Sequence, residues 1–253
     1  MAHCERGDEY ICGQTAHNYK FEGGGAAVIG SIQSQPIENE ADDSHFAKTR
    51  LLSLENTIGG KVLGIDYLIK AREFVDQHNL ALHLDGARAF NVAAELNLDI
   101  KEITKHFDSV SIYLSKGLGA PVDSLLLGSE QLIAKARRWR KVLGGGMRQA
   151  GMLAAAGQYA LENNTQRLVD DHANARYLAH QLNEISGFEV NMSNTTNMVY
   201  ATFDNSINIT KLAADLKAQG IFISPSKQLR LVTHLGITKA DIDTFIKALT
   251  AHI

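Results

Sequence analysis

The sequence predicts an α/β fold: a large domain built on a mainly parallel sheet, followed by a small C-terminal α+β domain. Three observations carry this. Through residues 1–162, short apolar runs alternate with helical patterns, the order that builds a parallel sheet covered by helices. Near residue 163 the texture changes: a long amphipathic pattern is followed by shorter strand-like and helical runs. The composition is that of an ordinary globular chain, with 253 residues, 45% hydrophobic and 21% charged. That content can bury a substantial core and excludes disorder as the dominant state.

The elements follow in order. Glu9–Gly13 reads as the start of a short strand. Ala27–Ile37 mixes β-branched residues with glycine, stops at Pro36 and is expected to be extended. Arg50–Glu55 is a short apolar run suited to a buried strand. Asp66–His78 places Leu68, Ala71, Phe74 and Val75 at helical spacing, with Asp66 as its cap. Leu80–Asp85 is a strand, Arg88–Leu96 a helix, and Ser109–Leu114 and Ser124–Leu127 two more strands. Glu130–Leu143 and Met147–Asn163 lack proline and read as helices.

The expected boundary divides 1–162 from 163–253. Beyond it, Thr165–Ser186 is a long helix with Leu168, His172, Ala175, Leu178 and Leu182 on one face. Asn197–Phe203 is strand-like, Ile209–Gln219 helical, and Ile221–Ser224 and Leu229–Thr233 a pair of strands. A last helix begins at Thr238.

Several function classes are disfavoured. No apolar run approaches a membrane span, and the N-terminal residues lack the apolar stretch of a secretory signal. Cys4 and Cys12 cannot form a disulfide framework or a zinc site alone, so a reduced, cytoplasmic setting is the expectation, with no metal. Lys135, Arg137, Arg138, Arg140, Lys141 and Arg148 surround Trp139, but the net charge is −3. A solvated basic helix face is the commoner reading, and no nucleic-acid partner is expected. Dinucleotide, P-loop and zinc-protease motifs are absent.

Two strand ends carry chemistry. Asp85 closes LALHLD and Lys116 follows SVSIYLS, each with a glycine next to it, and 31 residues separate them, about one βαβ crossover. Both therefore belong at the carboxyl edge of one parallel sheet, where open α/β sheets bind ligands. Pyridoxal phosphate uses this pair of groups: a lysine for the Schiff base and an acid for the ring nitrogen. The spacing equally allows a salt bridge or two unrelated strand-end charges.

The stretches HCERGDEYICGQTAHNYKFEGGGAAVIG, LALHLDGAR, LSKGLGAPV, RRWRKVLGGGMRQAGMLAAAG and RLVTHL, in this order, resemble the low-specificity L-threonine aldolases over nearly the whole chain. That resemblance implies the fold-type I (aspartate-aminotransferase) fold of pyridoxal 5'-phosphate enzymes. It implies retro-aldol cleavage of L-threonine or L-allo-threonine to glycine and acetaldehyde, and a homo-oligomer, dimer or tetramer. By the same resemblance Lys116 holds the cofactor, Asp85 partners its pyridine nitrogen, Arg88 reaches its phenolic oxygen and His17 stacks on its ring. His45 faces the substrate hydroxyl, and a histidine there can carry that proton directly or through water. Arg230 holds the substrate carboxylate, a task suited to a guanidinium fork. Lys141 and Arg148 lie near the site, and GGGMRQ opens a helix able to receive an anion.

The chain also departs from the family pattern. Relatives begin several dozen residues earlier, in a segment that carries a phosphate-binding loop, and are longer between Glu38 and Ser44. Ile58 and Gly59 replace a His-Asn pair, and Asp123 replaces a glycine. These departures set a second expectation beside the active aldolase: an N-terminally truncated homologue without turnover. A third is another cofactor-linked reaction on the same fold, such as transamination or racemisation, which fold alone does not separate.

Overall fold

The computed structural model describes residues 1–35, 48–122, 124–193 and 195–253. The chain forms two compact units: Met1–Ile58 with Leu63–Glu162, and Gly59–Val62 with Asn163–Ile253.

The first unit runs β1 (Asp8–Cys12), α1 (His17–Lys20), α2 (Gly25–Gly30), β2 (Gln33–Gln35), β3 (Lys48–Glu55), α3 (Ile65–Gln77), β4 (Ala81–Gly86), α4 (Ala89–Leu96), α5 (Ile100–Thr104), β5 (Ser109–Tyr113), β6 (Ser124–Gly128), α6 (Glu130–Val142) and α7 (Gly151–Asn163). Its sheet has the order β2-β1-β3-β4-β5-β6. All neighbours pair in parallel except β6, which lies antiparallel to β5. The mainly parallel α/β architecture expected from the alternating pattern is therefore present.

Register gives the central strands two chemically different faces. Leu54, Leu84 and Val110 are register partners, as are Leu52 and Leu82, and they point one way. Leu82 and Leu84 are fully buried there, with Val75 of α3 packed in the same cluster as Leu82. The opposite face carries Ser53, His83 and Ser109 in one row and Glu55, Asp85 and Ser111 in the next. Gly86 closes β4 where a side chain has no room: an added Cβ would stand 2.6 Å from the Ser111 carbonyl oxygen.

The second unit runs α8 (Leu168–Asn183), β7 (Phe188–Val190), β8 (Met198–Phe203), α9 (Ile209–Ala218), β9 (Gln228–Val232) and α10 (Lys239–Thr250). Its antiparallel sheet has the order β7-β8-β9. Leu168, His172, Ala175, Leu178 and Leu182 of α8 are all buried. The last helix starts from a capping box in which Thr238 and Asp241 exchange hydrogen bonds. Gly59–Val62 joins this unit: Thr196 donates its backbone N–H to the Gly60 carbonyl at 3.0 Å.

Several local expectations are corrected. Within the described part of 27–37, the chain turns as helix α2 and is extended only over Gln33–Gln35. Ser31, in the left-handed region at φ 52°, ends that helix. Ile221–Ser224 forms no strand: β8 already has β7 on one side and β9 on the other, and Ile221 and Ile223 pack on the core as a connection. β7 gave no sequence signal beyond three residues of alternation. Asp66 is not the cap of α3. Gly64 is, and Asp66 sits in the first turn, where its charge still suits the helix dipole. α7 starts at Gly151, so GGGMRQ lies before it rather than opening it.

Candidate active site

Because β1, β3, β4 and β5 are parallel, their carboxyl ends share one edge. Asp85 pairs in register with Glu55 on one side and Ser111 on the other. The loops after the strands bring the remaining groups: His17 after β1, Ala87 and Arg88 after β4, and Lys116 after β5.

Burial pushes the Asp85 carboxyl above the usual range, while the Ala87 N–H and the charges of Lys116 and His17 pull it back. The Ala87 backbone donates to Asp85 Oδ1 at 3.3 Å. Lys116 is exposed, with its Nζ 4.7 Å from the centre of the Tyr113 ring. A small cleft beside them is lined by Gly86, Arg88, Phe90, Tyr113, Gly117 and Leu118. Arg88 caps α4 at its rim.

Glu55 is a site residue that sequence reasoning missed. Burial raises its carboxyl, and Asp85 raises it further. The backbone N–H of His17, 3.2 Å from Oε2, and the charges of His17 and Lys116 oppose that rise. The signal existed, since RLLSLE ends in an acid just as LALHLD does, but without register the two ends could not be aligned. His17 opens α1. Its Nδ1 meets Glu22 Oε1 at 2.6 Å, and its ring lies 5.1 Å from the Phe21 ring.

The structure thus brings Asp85, Lys116 and His17 into one electrostatic group, with Arg88 at the adjoining cleft. Lys141, in the last turn of α6, and Arg148, in the loop before α7, are both exposed, and among the described contacts neither pairs with Asp85 or Glu55. Arg230 lies on β9 in the second unit, exposed, opposite Tyr200 and 3.8 Å from the Met198 sulfur. His45 and Asp123 lie outside the described residues. Among the described residues no cluster of His, Cys, Asp or Glu could hold a metal ion, and no helix is long and apolar enough to cross a membrane.

The donor set suits a pyridoxal cofactor: an accessible amine, a half-buried carboxyl held by a backbone N–H, and an imidazole within their field. Comparison with known proteins agrees. The beta-eliminating lyase family matches residues 1–205. The chain is 51% identical to the low specificity L-threonine aldolase of Escherichia coli K12, covering 96% of this chain and 76% of that protein. It is 38% identical to the low-specificity L-threonine aldolase 1 of Arabidopsis thaliana, over 96% and 75% of the two chains. The structure of Leishmania major threonine aldolase superposes with a TM-score of 0.81 at 17% identity, covering 99% of this chain and 79% of that one. An alanine–glyoxylate aminotransferase from Nostoc sp. gives 0.69 at 15% identity, over 99% and 76%. These structures share the fold, that of fold-type I enzymes. On the extent of the family match and the identity of its relatives, the chain belongs to the low-specificity L-threonine aldolases of the beta-eliminating lyase family.

Proposed function

We propose that this protein is a pyridoxal 5'-phosphate-dependent lyase that cleaves L-threonine and L-allo-threonine to glycine and acetaldehyde. The observation that carries the reading is the placement of Asp85 and Lys116 at one carboxyl edge, within reach of each other's field, in a chain of this family. When bound, the cofactor supplies the electron sink for the breaking Cα–Cβ bond.

The chain's own residues do the rest. Lys116 would hold the cofactor through its Nζ amine. Asp85 keeps a proton on the ring nitrogen, and pairing with that positive charge offsets the burial cost its carboxylate otherwise carries. His17 covers the ring face, and Arg88 and Arg148 make polar contacts to the cofactor. Arg230 and Lys141 hold the substrate carboxylate and so orient the scissile bond. His45, or a water it orients, takes the β-hydroxyl proton, and the release of that proton balances the one Cα takes up in glycine. The protein acts in the cytoplasm, as a homo-oligomer, on a small amino-acid substrate, in threonine breakdown and glycine formation.

The test is direct. Purified protein with pyridoxal phosphate is expected to show visible cofactor absorption and to release acetaldehyde from threonine, and Lys116→Ala is expected to lose both. A keto acid or an inverted amino acid in place of acetaldehyde would replace this reading with transamination or racemisation.

A further inference from the structure

Glu22 stands outside every role assigned above, yet its carboxylate makes the shortest described contact to a proposed active-site histidine. His17 Nδ1 lies 2.6 Å from Glu22 Oε1. A carboxylate only accepts, so Nδ1 must carry the proton of that bond, which leaves Nε2 with a lone pair while the ring is neutral. Local structure makes the contact: α1 ends at Phe21, and Gly23 and Gly24 follow in the left-handed region at φ 59° and 69°, turning the chain directly after Glu22. Two further contacts fix His17 itself. Its backbone N–H donates to Glu55 at 3.2 Å, and its ring packs against Phe21.

We infer that Glu22 is a positioning residue for the proposed reaction, holding His17 in the Nδ1–H tautomer so that Nε2 keeps its lone pair as a hydrogen-bond acceptor. The inference rests on the reading of this edge as a pyridoxal site, and it deepens it. The arrangement is that of an imidazole steadied by a carboxylate on its far nitrogen. Both side chains are exposed in the open site, so the pair contributes little to stability. Its consequence is orientation: an imidazole free to flip would offer Nδ1 or Nε2 at random. If Nε2 takes a proton, the Glu22 carboxylate also compensates the positive charge that forms.

The experiment uses cofactor-free protein first. Long-range ¹H–¹⁵N spectra of ¹⁵N-histidine-labelled protein, recorded at a pH where His17 is neutral, report which ring nitrogen is protonated. The unsubstituted protein is expected to show Nδ1–H at His17, and Glu22→Ala to move the population to Nε2–H. Glu22→Gln, which keeps an acceptor oxygen, is expected to retain part of the Nδ1–H population. In the loaded enzyme Glu22→Ala is expected to lower kcat for threonine by about 10-fold or more, with cofactor absorption unchanged and partial rescue in Glu22→Gln. An unchanged tautomer in Glu22→Ala, or unchanged turnover despite a switched tautomer, overturns the role of Glu22 in a working aldolase. An unsubstituted protein that neither binds the cofactor nor cleaves threonine overturns the functional reading instead.

Discussion

Asp85 and Glu55 face each other across two parallel strands, and burial raises both carboxyls. Two negative charges at that spacing disfavour one another, and the charges of Lys116 and His17 offset part of that repulsion. Asp85→Asn removes the partner for a protonated ring nitrogen. It is expected to lower threonine cleavage by at least about 100-fold, in the range that a lost acid–base partner costs. It is also expected to lower the titration point of Glu55, readable by ¹³C NMR, because a repelling neighbour is gone. Retained cleavage would remove Asp85 from the site. At this scale the sequence was informative where one residue closes a strand and a glycine follows, as at Asp85. It showed Glu55 only as an acid at a strand end and was silent on Glu22. Their significance comes from register and from a turn, and neither can be read from spacing.

At the scale of elements, β4 and β5 put an unusual row on the polar face of the sheet. Ser109 Oγ lies 2.7 Å from His83 Nδ1 and 2.6 Å from His3 Nε2, and the two rings are 6.2 Å apart. Burial, with His3 adding to it, lowers His83 from 6.5 to about 4. Burial lowers His3 as well, against an opposing pull from Asp108. His83 is therefore neutral in the folded state and charges more readily when unfolded. Its contribution is complete above pH 6.5 and is lost as the pH falls from 6.5 to 4, reaching about 3 kcal/mol. Urea unfolding is expected to show the midpoint falling over that window, and falling much less in His83→Gln, whose amide can still reach Ser109. A midpoint equally steep in both proteins would move the acid lability elsewhere. The long periodic elements, α3, β4, α4, β5 and α8, were legible because one face of each is buried and the pattern records it. The failures share a cause. Ala27–Ile37 and Ile221–Ser224 have strand-like composition, but composition does not supply a pairing partner, and the second run joins neither edge of the β7-β8-β9 sheet. Gly151 starts α7 later than its pattern implies, because Gln149 stands in the left-handed region at φ 52°, which a right-handed helix cannot include.

At the scale of the whole molecule, the first unit ends its sheet on β6, and among the described residues no strand pairs with its outer side. Leu125, Leu126 and Leu127 are 43%, 39% and 46% exposed, so leucines face outward on both sides of one strand. Helix α6, which packs against β6, ends in exposed Val142 and Leu143, and exposed Met147 and Met152 follow. Natural edge strands usually carry charge, proline or a bulge, which prevent pairing with another chain. Here β6 itself carries no charge. Exposed apolar side chains on an open edge strand invite pairing with another chain. An edge strand that pairs with its own copy does so antiparallel about a two-fold axis, which closes the assembly instead of extending it. The 253-residue protein is therefore expected to run at a multiple of its chain mass in light scattering at micromolar concentration. Leu126→Lys, which puts an ammonium on the free edge without touching the apolar row shared by Leu125 and Leu127, is expected to shift that equilibrium toward monomer. Its far-UV circular dichroism should stay close to that of the unsubstituted chain, since Leu126 is 39% exposed. If Leu126→Lys leaves the mass unchanged, the copies meet on another face and β6 is not their contact. If the unsubstituted chain is itself monomeric, the exposed edge serves no self-association.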